Sequence, residues 1–207
     1  MSNIRLAEAS APSTPASGKV VIYAKTDGLV YGKDDAGTET KLSNSSTVMT
    51  LMTPQTTTSG TSIDFTSIPS GTKRLTLHFT GVSTSGTSDI IVQLGDAGGF
   101  ETSGYSGSVA HFAAASAATL TISSAGFTVH PSQAATNVYE GSMILTLANA
   151  STYSWIANGN FGRSDTTRHS IVAGSKSLSA ELTQIRITTI GGSDTFDAGE
   201  MSVIYEA

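Results

Sequence analysis

Apolar and polar side chains alternate along short stretches of this chain, most clearly in K-R-L-T-L-H-F-T-G-V at Lys73–Val82. Leu75, Leu77 and Phe79 lie on one side of an extended backbone, and polar residues lie between them. This period of two predicts a β-strand with one face in a core and the other in water. Burial of the three apolar side chains is worth roughly 2 kcal/mol each, which is enough for the strand to anchor a sheet.

Similar runs occur through the rest of residues 48–207 and predict a series of further short strands. The clearest are Val138–Ala148, Gln184–Ile190 and Glu200–Glu206. We interpret further runs as strands at 48–57, 61–65, 89–94, 109–115, 118–123, 126–130, 152–157, 166–173 and 177–182, and we expect loops at 95–107 and 158–163. Residues 113–118 are also compatible with a helical turn. Many short strands without an amphipathic helix predict an all-β fold, an antiparallel β-sandwich or jelly roll over residues 47–207.

Residues 1–46 predict a separate, smaller segment. The pattern predicts a three-stranded β-meander, with strands at 19–25, 29–33 and 38–42. The turns between these strands contain Gly28 and Gly37. A meander of this size buries too little surface to be stable alone, so it must pack on the next domain, on copies of itself or on another protein. Residues 2–17 contain Pro12 and Pro15. We expect an extended arm that orders only against a partner, or else a frayed terminus. Residues 43–47 are expected to be a linker.

The composition excludes several function classes. The chain has 207 residues, only 13% of them charged, and a net charge of −5 without a basic tract, so we expect no nucleic-acid partner. There is no cysteine, which excludes disulfides and thiol chemistry. The sequence contains no run of about 18 apolar residues, so we expect no membrane insertion. The first ten residues have no apolar core, so we expect no Sec signal.

Residues with catalytic or metal-binding chemistry are present but do not form a motif. The four histidines are dispersed, no G-x-S-x-G sequence occurs, and Gly95–Gly99 lacks the spacing of a phosphate-binding loop. Calcium ligands are conceivable near loops, without the dense spacing of a calcium loop, at Asp89, Asp96, Glu101 and Asp165. We therefore predict no catalytic residue, no bound metal and no cofactor.

Aromatic residues are the best candidates for ligand binding. Tyr153 and Trp155 alternate and therefore share one face of a strand, and Tyr105 lies in the glycine-rich loop that also contains Asp96. Their rings could stack on a sugar, so we treat all four residues as candidate ligand contacts. The competing interpretation of the Tyr153–Trp155 pair is packing in the core or at a subunit interface.

The segment Pro12–Leu42 resembles a segment of virion structural proteins of tailed bacteriophages, often tail-fibre or related particle-surface proteins. The resemblance depends on the P-x-x-P arm, on V-I-Y-A-K, on T-D-G-L-V-Y and on D-D-A-G-T-E. The remainder is similar to a β-rich domain that often accompanies such segments, through Ser62–Arg74, Gln93–Tyr105 and Asp194–Glu206.

This resemblance implies a non-enzymatic component of the virion, synthesised in the host cytoplasm, that binds other virion proteins of the capsid or tail. The N-terminal segment would dock on the particle through Pro12, Pro15, Val20, Ile22, Tyr23, Leu29 and Tyr31. Such proteins commonly form homotrimers. The chain has no coiled-coil heptads or shaft repeat, which favours a compact knob or decoration protein. The alternatives are an adhesin module for host-surface glycan and a glycan depolymerase, for which the sequence indicates no carboxylate pair.

Overall fold

The computed structural model describes residues 5–42, 49–113, 117–131, 133–163 and 168–207. Every regular element in these ranges is a β-strand, and the predicted all-β fold class is confirmed. The chain divides into two compact units, residues 1–47 and 48–207. This division lies one residue from the boundary expected from the sequence.

The smaller unit is a four-stranded sheet. Its strands are β1 (Glu8–Ala9), β2 (Val21–Lys25), β3 (Val30–Lys33) and β4 (Glu39–Lys41), in the order β1-β2-β3-β4. The meander β2-β3-β4 is antiparallel, and its turns place Gly28 and Gly37 at φ of +80° and +85°, where glycine has no steric penalty. β1 is parallel to β2 and covers the edge of the meander.

The segment before the meander does not extend away from it. β1 pairs with β2, the Lys33 ammonium donates a 3.0 Å hydrogen bond to the carbonyl oxygen of Pro12, and the Gly18 amide donates to Asp35 at 2.6 Å. The expectation that this arm orders only against another protein is therefore wrong for residues 5–18. The physical reason is that the open edge of β2 and the Lys33 side chain supply hydrogen-bond partners within the unit.

The larger unit contains fourteen described strands. They are β5 (Met49–Leu51), β6 (Gln55–Thr56), β7 (Ser62–Phe65), β8 (Arg74–Thr84), β9 (Ile90–Asp96), β10 (Gly99–Phe100), β11 (Ser106–Ala113), β12 (Thr119–Ser123), β13 (Phe127–Thr128), β14 (Tyr139–Asn149), β15 (Ser154–Arg163), β16 (Arg168–Ser177), β17 (Gln184–Thr189) and β18 (Phe196–Glu206).

These strands form two sheets that share one core. The larger sheet has the order β12-β11-β16-β15-β14-β8-β18-β5, with β6 also on β18, and the smaller has the order β10-β9-β17-β7, with β13 also on β9. Leu75, Leu77 and Phe79 of the larger sheet lie in the same buried cluster as Val92 and Ile187 of the smaller. Residues 48–207 therefore form a β-sandwich.

Several expectations about individual elements are wrong. The loop expected at 95–107 contains the end of β9, the whole of β10 and the start of β11, because this segment folds back and pairs with β9. Residues 158–163 continue β15 rather than form a loop, because Gly159 lies next to the inward ring of Phe161, where a Cβ would be 2.9 Å from the ring. The predicted break at 174–176 is part of β16, whereas residues 178–182 form a loop. The run 48–57 is divided into β5 and β6 around Thr53–Pro54, since proline cannot donate to the ladder. The linker expected at 43–47 and the centre of the helical turn expected at 113–118 lie outside the described residues.

Candidate functional site

A small pocket opens at one end of the sandwich, where the ends of β14 and β15 meet the turn before β8 and the loop before β17. Its volume is about 170 Å³. The walls are apolar, and the lining residues are Gly71, Thr72, Lys73, Leu147, Ala150, Tyr153, Trp155, Glu181 and Leu182. The pocket brings together Tyr153 and Trp155, which the alternation in the sequence placed on one face. It does not include Asp96 or Tyr105.

Tyr153 is held in the pocket wall by a strained backbone. It has a φ of +47°, a left-handed conformation that costs an L-residue roughly 1–2 kcal/mol. The loop before it is fixed by Asn149, whose side-chain oxygen accepts hydrogen bonds from the amides of Ser151 and Thr152. The carbonyl of Tyr153 accepts from the amide of Leu178. Strain of this kind at a non-glycine residue is frequent at ligand sites.

Trp155 forms the floor of the pocket. It is the single tryptophan of the chain, and only 2% of its surface is exposed. Its indole Nε1–H is buried and has no hydrogen-bond acceptor among the described residues. A buried donor without a partner costs about 1–3 kcal/mol, so Trp155 is held in place by its packing and not by a hydrogen bond of its ring.

The opposite wall is the loop at 178–182, and Asp96 holds it in place. The Asp96 carboxylate accepts hydrogen bonds from the Ser179 hydroxyl at 2.7 Å and from the Ala180 amide at 3.0 Å. These bonds, the Ser179 hydroxyl above all, lower the pKa of Asp96 below its ordinary value. Next along the loop, Glu181 accepts from the hydroxyl of Ser70 and the amide of Gly71. Asp96 therefore positions the pocket and has no free oxygen directed at a ligand within it.

Tyr105 belongs to the core and does not offer a ring face to a sugar. It is 5% exposed, and its ring packs edge-on against Phe127 with the centroids 5.0 Å apart. Its hydroxyl accepts from the Leu94 amide at 2.7 Å and donates to the Glu101 carbonyl at 3.0 Å. Burial raises the pKa of this phenol. The correction has a simple reason: the glycine-rich loop folds back on β9 and buries the tyrosine that it contains.

A second candidate surface is one face of the small unit. Val20, Ile22 and Leu42 are 66%, 57% and 50% exposed there. In the ladder Ile22 lies opposite Gly32, and the absence of a side chain at Gly32 leaves a hollow of about 280 Å³. Val20, Ile22, Gly32 and Leu42 line this hollow together with Asp34, Thr38 and Thr40. We call this surface the Ile22 face.

The residues expected to dock are divided between the two faces of the small sheet. Val20 and Ile22 lie on the Ile22 face, whereas Tyr23 is buried and Leu29 and Tyr31 are half-buried. Tyr23 and Tyr31 pair in the ladder, on the side that the arm covers, and Pro12 and Pro15 are half-buried in that arm. Alternation within β2 explains the division, because neighbouring residues point to opposite faces. The sequence analysis missed Leu42, although its separation of two residues from Thr40 places both on the Ile22 face.

The outer side of the large sheet is a third apolar surface. Leu120 and Ile122 of β12 are 63% and 76% exposed, and they pair with Ala110 and Ser108 of β11. Ile171 of β16 lies on the other side of Ala110. Phe112 and Ile156 are also partly exposed on this side. No Asp, Glu, Lys or Arg points outward from β11, β12 or β16, or from β15 as far as Asn160. We call this surface the Ile122 face.

The described part of the chain contains no cluster of metal-binding side chains. Among the residues that the structure describes, no three His, Asp or Glu side chains are grouped to hold a metal ion. His111 and His130 have ring centroids 5.3 Å apart, but the pair is buried inside the sandwich. Asp165, one of the conceivable calcium ligands, lies outside the described residues.

The fold and these surfaces define a class: a two-unit, all-β protein in which a small sheet with an exposed apolar face precedes a β-sandwich with an aromatic end pocket. Comparison of the chain with protein families, with curated proteins and with solved structures found no match. The described residues include no helix that could cross a lipid bilayer.

Proposed function

We propose that this chain is a non-enzymatic surface component of a tailed-bacteriophage particle. The small unit attaches it to another virion protein, and the β-sandwich is displayed. The observation that carries the proposal is the Ile22 face, three large aliphatic side chains exposed around a hollow in a unit of only 47 residues. The assignment to a phage particle is supported by the resemblance of Pro12–Leu42 to virion proteins.

The distribution of charge supports different roles for the two units. The five basic and five acidic residues of 1–47 cancel, so the net charge of −5 belongs to residues 48–207. A neutral unit with an apolar face can approach a large protein surface without electrostatic repulsion. An acidic sandwich on the outside keeps particles soluble and apart. The occupant of the Ile22 face is therefore proposed to be a virion protein that inserts an apolar side chain into the hollow beside Gly32.

We also propose that copies of the chain associate through the Ile122 face, as a homotrimer. This face exposes five large apolar side chains among serines and asparagines and, apart from His169, carries no ionisable side chain, whereas an outward-facing antiparallel sheet is ordinarily polar. A second copy offers the same surface, which has no carboxylate, ammonium or guanidinium, so none of these groups is buried without a partner.

The test is incorporation of variants into phage particles. Ile22→Asp places a charge on the docking face, and we expect particles that lack the protein. Thr26→Asp is the matched control, because Thr26 is exposed in the neighbouring turn. Mass spectrometry of purified particles gives the copy number: hundreds of copies indicate capsid decoration, and a handful indicate a tail component. Normal incorporation of Ile22→Asp would contradict docking through this face.

A further inference from the structure

We propose that copies of the chain join edge to edge: the β12 edge of one copy forms backbone hydrogen bonds with the β5 edge of the next. The partner of each edge is thus a second copy of this chain, bound by strand addition. This contact rests on the association of copies proposed above, and it specifies which strands meet, in which direction and in which register.

Both ends of the large sheet are open edges. β12 is the first strand of the order and β5 is the last, and among the described residues no strand pairs with the far side of either. An open edge presents unpaired N–H and C=O groups, and proteins ordinarily protect it with charged side chains, proline or a bulge. β12 (T-L-T-I-S) and β5 (M-T-L) contain no charge and no proline, and their ladders have no shift of register. Edges without such protection are suited to pairing with another strand.

The two edges present aliphatic side chains on the same face of the sheet. Leu120 and Ile122 are exposed on β12, and Met49 and Leu51 are each more than half exposed on β5. Successive pairings across the sheet connect Ile122 to Leu51 through one row of directly opposite residues. This row is Ile122, Ser108, Ala173, Asn158, Ile144, Thr76, Ile204 and Leu51. Both ends of the row therefore point outward, at the same level along the strands.

A register for the joined edges follows from this row. A shift of two residues keeps every side chain on its own face and places Ile122 of one copy opposite Met49 of the next. Leu120 then lies opposite Leu51. Each of these pairs brings two aliphatic side chains together across the new ladder, and cross-strand pairs of this kind stabilise a sheet. Met49 and Leu51 thus extend the Ile122 face onto the neighbouring copy.

The directions of the strands fit the same contact. The path from β12 to β5 has eight strands, and every neighbouring pair is antiparallel, so β12 and β5 run in opposite directions. Copies arranged in a ring around an axis parallel to the strands keep these directions. β5 of the next copy is then antiparallel to β12, and the new ladder has the same kind of pairing as the rest of the sheet.

A head-to-tail contact also accounts for both edges at once. Three such contacts close a ring in which neither β12 nor β5 is left open. Pairing of β12 with β12 of another copy would require a two-fold axis instead, and it would leave β5 open in both copies. The β5 edge of a second copy is therefore the occupant that we assign to β12.

The absence of cysteine from the chain makes a crosslinking test direct. Full-length protein that carries Leu120→Cys and Leu51→Cys together is mildly oxidised and examined by denaturing electrophoresis without reductant. Directly opposite residues of paired strands are close enough for a disulfide. We expect covalent products of two and three chains and none larger, because the ring is closed. Ile122→Cys with Leu51→Cys tests the register without the shift, and it should give less product.

Two control variants separate this contact from its alternatives. Leu120→Cys with Ile122→Cys places both cysteines on β12 and should give no covalent dimer. A dimer of this variant would show that β12 pairs with β12, and it would overturn the proposal. Leu120→Cys with Thr146→Cys is the matched control, because Thr146 is exposed on β14, far from both edges, and it should also give no product.

The native mass distinguishes failure of this contact from failure of the association itself. If the wild type has the mass of three chains and neither variant with Leu51→Cys gives covalent products, copies associate without edge pairing and the proposal is overturned. If the wild type has the mass of one chain at all accessible concentrations, the association and the edge contact are both overturned. Covalent products larger than three chains would overturn the closed ring.

Discussion

Gly81 of β8 and Gly199 of β18 lie against each other, so closely that a Cβ on Gly199 would collide with the carbonyl of Gly81. Both have positive φ, +65° and +96°. Here the pairing of β8 with β18 shifts: Ala198 lies opposite Ser83 and Glu200 opposite Thr80. This bulge changes the phase of β8, so that Leu75, Leu77 and Phe79 point inward before it and Val82 points inward after it.

The first prediction tests this contact. Gly199→Ala should lower the free energy of unfolding by about 3 kcal/mol. Alanine is disfavoured at this positive φ, and its Cβ would also collide with the backbone of Gly81. Urea or thermal denaturation measures the change. Gly191→Ala is the matched control: Gly191 has a φ of +85° but open space around its Cβ position, and only about 1 kcal/mol should be lost. Equal effects of the two substitutions would show that the close approach has no energetic role.

The second prediction concerns Asp96 and the loop at 178–182. Asp96→Asn should destabilise the protein by about 2 kcal/mol, since the amide cannot accept from the Ser179 hydroxyl and two backbone amides together. The pKa of Asp96 is lowered in the folded protein. Its contribution is therefore present above the ordinary carboxyl pKa and lost as the pH falls below it. Unfolding by urea at several pH values should show that loss in the wild type and not in Asp96→Asn.

Glu200→Gln is the control for this substitution, because Glu200 is an exposed carboxylate on β18. This substitution should change the free energy of unfolding very little at any pH. If Asp96→Asn is as stable as Glu200→Gln, the carboxylate does not hold the loop.

The third prediction is a loss of stability in mild acid that depends on His130. Burial, and then the charges of His111, Arg163 and Arg168, lower the pKa of His130 to about 4, although its Nδ1 donates to the carbonyl of Pro131. The unfolded chain takes up the proton near the ordinary value of 6.5, while the folded chain does not until about 4. The contribution of the neutral His130 ring to the free energy of unfolding is therefore complete above pH 6.5. It decreases by up to about 3 kcal/mol as the pH falls to 4.

Urea denaturation across this pH range measures the effect. His130→Phe keeps an aromatic ring beside His111 and Tyr139 and should flatten the pH dependence between 6.5 and 4. A wild-type protein of constant stability over this range would contradict the prediction.

The fourth prediction tests association of copies through the Ile122 face. Light scattering after gel filtration should give a mass near three times 21.2 kDa for the wild type. Ile122→Lys should give the mass of one chain, because it buries an ammonium without a partner in the contact. Ser124→Lys, in the exposed turn beyond β12, should not change the mass. A monomeric wild type at all accessible concentrations would exclude this contact.

The alternation of side chains was sufficient to predict the all-β class and most strand positions, because a period of two is a local property of the backbone. Leu75, Leu77 and Phe79 are inward as expected. The pattern failed where small inward residues replace large ones: in β15 the inward position of Gly159 is partly occupied by the ring of Phe161. A glycine in such a place cannot be distinguished by sequence from a glycine in a loop.

The sites required tertiary structure. Tyr153 and Trp155 could be assigned to one face from their spacing, but Leu147 and Leu182, which complete the pocket, belong to different strands and loops. Tyr105 and Trp155 are both buried, yet only the ring of Trp155 lines an opening. Likewise the sequence predicted a separate N-terminal unit, and only the path of residues 5–18 decided which part of it is covered. Local propensity fixes which residues share a face, whereas burial depends on which distant segment packs there.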